Sequence, residues 1–195
     1  MARPSTRQAI LAAAVTVAAR QGISSATMDA VADEAGVAKG SLYYNYPNKD
    51  AIFEAVMRDG FEALRVRVEA ARLESPGPGA LAAVSEATLE ALRENTDRAK
   101  VMAAELFRTD RPWNGAVASA RAGLVEVYLV ALRDSLPASE TRGAVTEMTA
   151  GAFMGALVGA ALSWLVLHPE MEATEVVAQV LALTPLPLEG PGVAQ

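Results

Sequence analysis

Seven side chains between Thr27 and Lys49 have the types and spacing that suit a phosphate polymer: Thr27, Lys39, Ser41, Tyr43, Tyr44, Asn45 and Lys49. Lys, Ser, Thr and Tyr donate hydrogen bonds to phosphate oxygens. Asn and Ser can also match the donor and acceptor pattern on base edges. Lys39 to Asn45 is short enough for one helix, which would carry five of the seven outward. An ordinary helical hairpin in a bundle would explain the Ala32-x-x-x-Gly36-Val37 spacing on its own. The Tyr43-Tyr44-Asn45-Tyr46 cluster favours a recognition surface instead. Three tyrosines so close together on a short helix cannot all be core, and exposed aromatics beside Lys and Ser suit binding.

The elements that must position these groups are helical. Ser5 to Gln8 fits a capping box at the start of a first helix. Ile10, Ala14, Val17 and Ala18 follow at helical spacing, and Gly22 ends it. Thr27 is a good N-cap for a second helix, with Asp29 in its first turn. Gly36 supplies the left-handed residue that the turn needs. Lys39 to Tyr46 forms a third helix, stopped by Pro47. Ala32 sits where two helices cross, and Val31, Val37 and Leu42 are spaced to fill a small core beneath the turn. Thr27 and Lys49 then flank the unit at helix N-termini, where backbone N–H groups can hold phosphate. A helix–turn–helix with these features offers one helix to the major groove of DNA.

The run from Val37 to Phe53, Val-Ala-Lys-Gly-Ser-Leu-Tyr-Tyr-Asn-Tyr-Pro-Asn-Lys-Asp-Ala-Ile-Phe, is close to a known signature. Residues 5–61 resemble the N-terminal domain of the TetR (tetracycline-repressor-like) family of bacterial transcriptional regulators. The resemblance implies that Thr27, Tyr44 and Lys49 hold phosphates. It implies that Lys39, Ser41, Tyr43 and Asn45 contact bases or adjacent phosphates, with Arg3 and Arg7 reaching the backbone from a flexible arm. Asn45 departs from the family, which often has His there, and that puts the operator sequence in doubt rather than the DNA-binding role. Residues 75–195 match the family in size and all-helical character, so ligand sites do not carry over by motif.

Composition agrees with an all-α reading. The chain has 195 residues, 52% of them apolar, only 5% aromatic and no Cys. Disulfides, thiolate metal sites and Cys nucleophiles are therefore excluded. The net charge of −6 argues against a polyanion partner until its distribution is considered. Residues 1–50 carry five basic and four acidic residues, whereas residues 51–195 carry 12 and 19. An acidic remainder discourages non-specific contact with nucleic acid. No basic stretch followed by an apolar one opens the chain, so the cytoplasm is the default expectation.

Asn48 caps a long fourth helix, Lys49 to Leu73, which would span roughly 37 Å. Ser75-Pro-Gly-Pro-Gly79 is the clearest break. Four or five further helices follow, the longest apolar one running from Glu140 to Leu167. Met148 to Leu167 contains no charged residue, with Gly151, Gly155 and Gly159 at four-residue spacing. Alone, it reads as a transmembrane helix with a small-residue face. Its Gly, Ala and Thr content and the absence of flanking Lys or Arg clusters favour a buried helix in a soluble dimer. Two reading heads are also needed for useful discrimination between half-sites. The family resemblance implies a four-helix interface, for which Gly155, Gly159, Leu162, Val166, Val177 and Leu181 are the candidates. Phe61, Met102, Phe107, Trp113 and Tyr128 are the candidates to line an effector cavity. Singly, each is explained by core packing.

Nothing points to catalysis. The Gly-Pro stretch lacks the Lys and the strand-to-helix setting of a phosphate loop. His168 reads as a helix-terminal residue, and Glu90, Glu94 and Asp97 as a solvated face. No cofactor or metal is expected. The expected architecture is all-α: a three-helix helix–turn–helix DNA-binding domain (1–46), a connecting helix (47–73), a C-terminal helical bundle for ligand binding and dimerisation (74–184), and a disordered tail (185–195). The expected action is repression from a palindromic operator, relieved by a small apolar or aromatic effector, without membrane association. The alternative is a helical membrane-associated or small-molecule-binding protein that does not read DNA.

Overall fold

The computed structural model describes residues 5–105, 108, 110–136 and 145–183. Arg3, Phe107 and the tail 185–195 lie outside the described residues. The first helix, α1 (Thr6–Ser25), opens with the expected capping box: Ser5 Oγ accepts from the Gln8 N–H, and Gln8 Oε1 accepts from the Ser5 N–H. Its regular part ends at Gly22, where φ is +78°. In α2 (Met28–Ala35), Thr27 Oγ1 accepts from the Ala30 N–H at 3.1 Å. Gly36 closes that helix with φ +64° and ψ +33°. Next come α3 (Lys39–Asn45) and α4 (Lys49–Glu74), the latter capped by Asn48 Oδ1 accepting from the Ala51 N–H at 2.9 Å.

A 3-10 turn at Gly77–Gly79 leads into α5 (Ala80–Glu94), α6 (Thr96–Glu105) and α7 (Asn114–Asp134). Asn114-Gly115, a dipeptide that often marks a turn, opens α7 instead. The final helices are α8 (Glu147–Leu167) and α9 (Ala173–Ala182). The helix expected from Glu140 thus begins at Glu147, capped by Thr146; residues 140–144 lie outside the described residues.

Packing groups the chain into two units, 1–61 with 95–120 and 62–94 with 121–195. In the first unit, Ile10, Ala14 and Val17 of α1 meet Val31 and Ala32 of α2, Leu42 of α3, and Ile52 and Phe53 of α4. Val101 and Trp113, distant in sequence, complete that core. In the second unit, α5, α8 and α9 pack on one another. Leu81, Leu89, Leu132, Leu157 and Trp164 are fully buried there. The Tyr128 hydroxyl shares a 2.5 Å hydrogen bond with Thr88, and Trp164 Nε1 donates to the Met171 carbonyl. Surface forks add local bracing: Arg67 binds Glu90 and Glu94, and Arg72 binds Glu69 and Asp134.

Gly36 in the turn and Gly40 in α3 predict opposite responses. Gly36 occupies left-handed space, where a Cβ costs roughly 1–2 kcal/mol. Gly40 has open space around its Cβ position and lies within α3. Gly36→Ala is expected to lower stability by about that amount, and Gly40→Ala to raise it by up to about 1 kcal/mol. Urea unfolding of the two variants checks the signs.

Candidate nucleic-acid interface

The short α3 is held by two residues that point inward. Leu42 is fully buried, and Tyr46, just past the helix end, is 5% exposed. Between them the outward positions carry Tyr43, half-exposed, and Tyr44, 91% exposed. One of the three clustered tyrosines is thus core and two are surface. Its neighbour Asn45 turns its amide back on its own helix, donating from Nδ2 to the Ser41 carbonyl at 2.8 Å.

The cations of the segment have partners within the protein. Lys39 Nζ meets Asp29 Oδ2 of α2 at 2.8 Å, across the turn. That hydrogen bond, with the Asp29 charge, holds the ammonium pKa above the ordinary lysine value. Arg20 is paired with Glu34. Lys49 Nζ donates to the Ile23 and Ser24 carbonyls at 3.1 and 2.9 Å, tying the start of α4 to the end of α1. An ammonium has three protons, so one remains for a phosphate. Arg7, expected in a flexible arm, lies in the first turn of α1 with its guanidinium 5.6 Å from the centre of the Tyr46 ring. Sequence spacing gave no signal for the Asp29–Lys39 or Arg7–Tyr46 pairs, because both join different helices.

Structure brings Lys39, Ser41, Tyr43, Tyr44 and Asn45 together on one helix, with Thr27 and Lys49 at the starts of the flanking helices. Of the residues proposed for an effector cavity, Phe61, Met102 and Trp113 belong to the first unit and Tyr128 to the second. Trp113 joins the core of the first unit, with Arg111 stacked 5.3 Å from its ring centre. Phe61 is also buried, and Met102 lies against Gly60, leaving 2.7 Å between its Sδ and where a Cβ would stand. Tyr128 belongs to the second unit, where burial pushes its hydroxyl pKa far up. Phe107 lies outside the described residues.

Of the dimer candidates, Gly155 and Gly159 are exposed on α8 with nothing near their Cβ positions. Leu162 and Val166 are 42% and 67% exposed, and Leu181 is half-buried. Val177 must be corrected. It is 2% exposed, because the Val176-Val177-Val180 face of α9 is turned into its own unit, and a residue already covered offers a partner nothing.

Two helices crossing over a left-handed glycine, the second presenting polar and aromatic groups, define a helix–turn–helix domain. Residues 10–56 match the family described as "Bacterial regulatory proteins, tetR family", so the N-terminal part of the chain is similar to the DNA-binding domain of those regulators. The HTH-type transcriptional repressor BepR of Brucella suis is 33% identical over 106 residues, 54% of this chain and 44% of the relative. The HTH-type transcriptional regulator SrpR of Pseudomonas putida is 42% identical over 52 residues, 27% of this chain and 24% of the relative. This chain therefore spans less than half the length of these curated relatives in the matched region. The fold extends further. The fatty acid degradation regulator FadR of Bacillus halodurans aligns with a TM-score of 0.78 at 18% identity, covering 94% of this chain and 96% of that one. FadR of Bacillus subtilis, solved in complex with stearoyl-CoA, aligns with a TM-score of 0.74 at 20% identity, covering 90% and 95%.

Tyr46 carries a test of how the surface is held. Among the described residues its hydroxyl is buried without a hydrogen-bond partner of good geometry, the Arg7 guanidinium lying over the ring. Tyr46→Phe is expected to leave stability unchanged or raise it by about 1 kcal/mol. Tyr46→Ala, which removes the anchor, is expected to cost about 3 kcal/mol. Thermal melts of both variants check this.

Proposed function

We propose that this chain is a sequence-specific DNA-binding transcriptional regulator. It acts as a homodimer in the cytoplasm, represses from a palindromic operator, and is released by a small apolar effector. The observation that carries the reading is the surface of α3. Tyr43 and Tyr44 stand out from a helix anchored at Leu42 and Tyr46, with Thr27 and Lys49 at the starts of the flanking helices. Tyr43, Ser41 and Asn45 read base edges in this account, and Lys39 exchanges Asp29 for a phosphate on binding.

The homodimer reading rests on α8. Its Gly155, Gly159, Leu162 and Val166 face is apolar and exposed in the single chain, and a second copy would cover it. A fold relative was solved with stearoyl-CoA, whose acyl chain is apolar, and this supports an effector with an apolar part. Because α4 contributes residues to both units, it is the element through which ligand would alter the reading heads. Couplings of this kind are typically about 1–3 kcal/mol.

A helical membrane-associated or small-molecule-binding protein without DNA readout is the competing reading. Its support is that α7 and α8 are each 21 residues long and apolar enough to cross a bilayer. The core helices of soluble proteins have the same property, and this reading gives the Tyr43–Tyr44 surface no role. Solubility without detergent separates the two.

Fluorescence anisotropy with duplex from upstream of the chain's own gene is the test. Saturable binding that exceeds binding to scrambled duplex is expected, and it should weaken with salt in proportion to the phosphates neutralised. Tyr44→Ala is expected to lower affinity about tenfold with an unchanged melting temperature, because Tyr44 is 91% exposed. Equal affinity for every duplex would overturn the reading. In sedimentation, the wild type is expected to be a dimer at micromolar concentration. Val166→Glu should give a folded monomer, since it places a charge in an apolar interface.

A further inference from the structure

The first unit holds a cleft that the α3 surface does not use. It lies between the end of α1 and α6 and has a volume of about 390 Å³. Its walls are small and apolar: Ala18, Ile23 and Val101 are buried, and Ala104 stands at the open side. Three cations line it, Lys100, Arg108 and Arg111, against one acid, Glu105. The lining therefore carries net positive charge in a chain whose net charge is −6.

These cations are not equivalent. Arg108 is paired with Asp110 at 2.7 Å. Arg111 grips Glu105 with Nε and Nη2, both at 2.6 Å, and lies over the Trp113 ring. Its guanidinium is thus fixed in place, and among the described residues Nη1 has no acceptor. Lys100 makes no ion pair or hydrogen bond among the described residues. An uncommitted ammonium and a pre-positioned guanidinium edge border an apolar hollow of the size that small-molecule sites have.

We propose that this cleft binds a small organic carboxylate with a compact apolar body. The carboxylate meets Lys100 and the free edge of Arg111, and the apolar body lies against Ala18, Ile23 and Val101. A bound molecule would bridge α6 and the Gly22–Ser24 turn. That turn supplies the carbonyls that hold Lys49, so occupancy bears on the first residue of α4. The site belongs to one packing unit and stands whether or not the chain reads DNA.

Isothermal calorimetry and methyl NMR on the full chain test it, with benzoate as the probe. Benzylamine carries the same body with the opposite charge, and inorganic phosphate supplies an anion without a body. Benzoate is expected to saturate below roughly 10 mM, with shifts at the Ala18, Ile23, Val101 and Ala104 methyls, and to exceed both controls. Lys100→Gln should weaken it about tenfold. Ala104→Trp, which fills the open side from an exposed position, should abolish it. The proposal is overturned if no saturation is seen, if benzylamine or phosphate binds as well as benzoate, or if benzoate binding survives both substitutions. Circular dichroism of both variants establishes that they are folded; should Ala104→Trp fail to fold, Lys100→Gln alone decides the matter.

Discussion

A helix of seven residues does not persist in water by its own hydrogen bonds. Everything that α3 can do therefore depends on its being held from below, by Leu42 within it and Tyr46 immediately after it. Those two anchors sit in a core made by α1, α2 and α4 and closed by Val101 and Trp113. The exposure of Tyr43 and Tyr44 is thus a result of burial elsewhere. A surface so carried is stiff, and a stiff surface loses little conformational freedom when it meets a partner.

Much of this was legible in the sequence because it depends on local rules. Thr27, Gly36 and Asn48 act through their own backbone neighbours, so spacing alone located the turn and the starts of α2 and α4. What could not be read was tertiary. The cluster of tyrosines indicated that some must be exposed, yet which one is buried depends on where Arg7 and α4 lie. Lys39 and Lys49 were legible as cations at helix starts, but their partners Asp29, Ile23 and Ser24 belong to other elements. Trp113 was read as a cavity residue because a large aromatic side chain has no sequence mark that separates core from lining. Val177 illustrates the same limit: helical period shows that α9 has an apolar face, not whether its own unit or a second copy covers it.

The division of labour along the chain is less linear than its order. Residues 95–120 interrupt the second unit and complete the first. Glu105 and Arg111, a pair little exposed to solvent, fasten that excursion beside the α1–α2 turn, with Arg111 within 3.5 Å of Ser24 Oγ. A half-buried fork of this kind loses more when one partner is removed than an exposed pair does. The stability of the helix–turn–helix is thus partly set by residues far beyond it in sequence.

The internal pairing of the cations in the recognition segment has a consequence for how such a protein searches. A reader with many free positive charges adheres to any stretch of chromosome, and most copies sit on irrelevant sequence. Here Arg20 and Lys39 face carboxylates and Lys49 faces carbonyls, inside an acidic chain. Bulk DNA would act as a shallow reservoir, leaving more copies free in solution. Under the proposed function, the response to an effector would then follow the number of molecules present, without being buffered by a large pool held elsewhere on the genome.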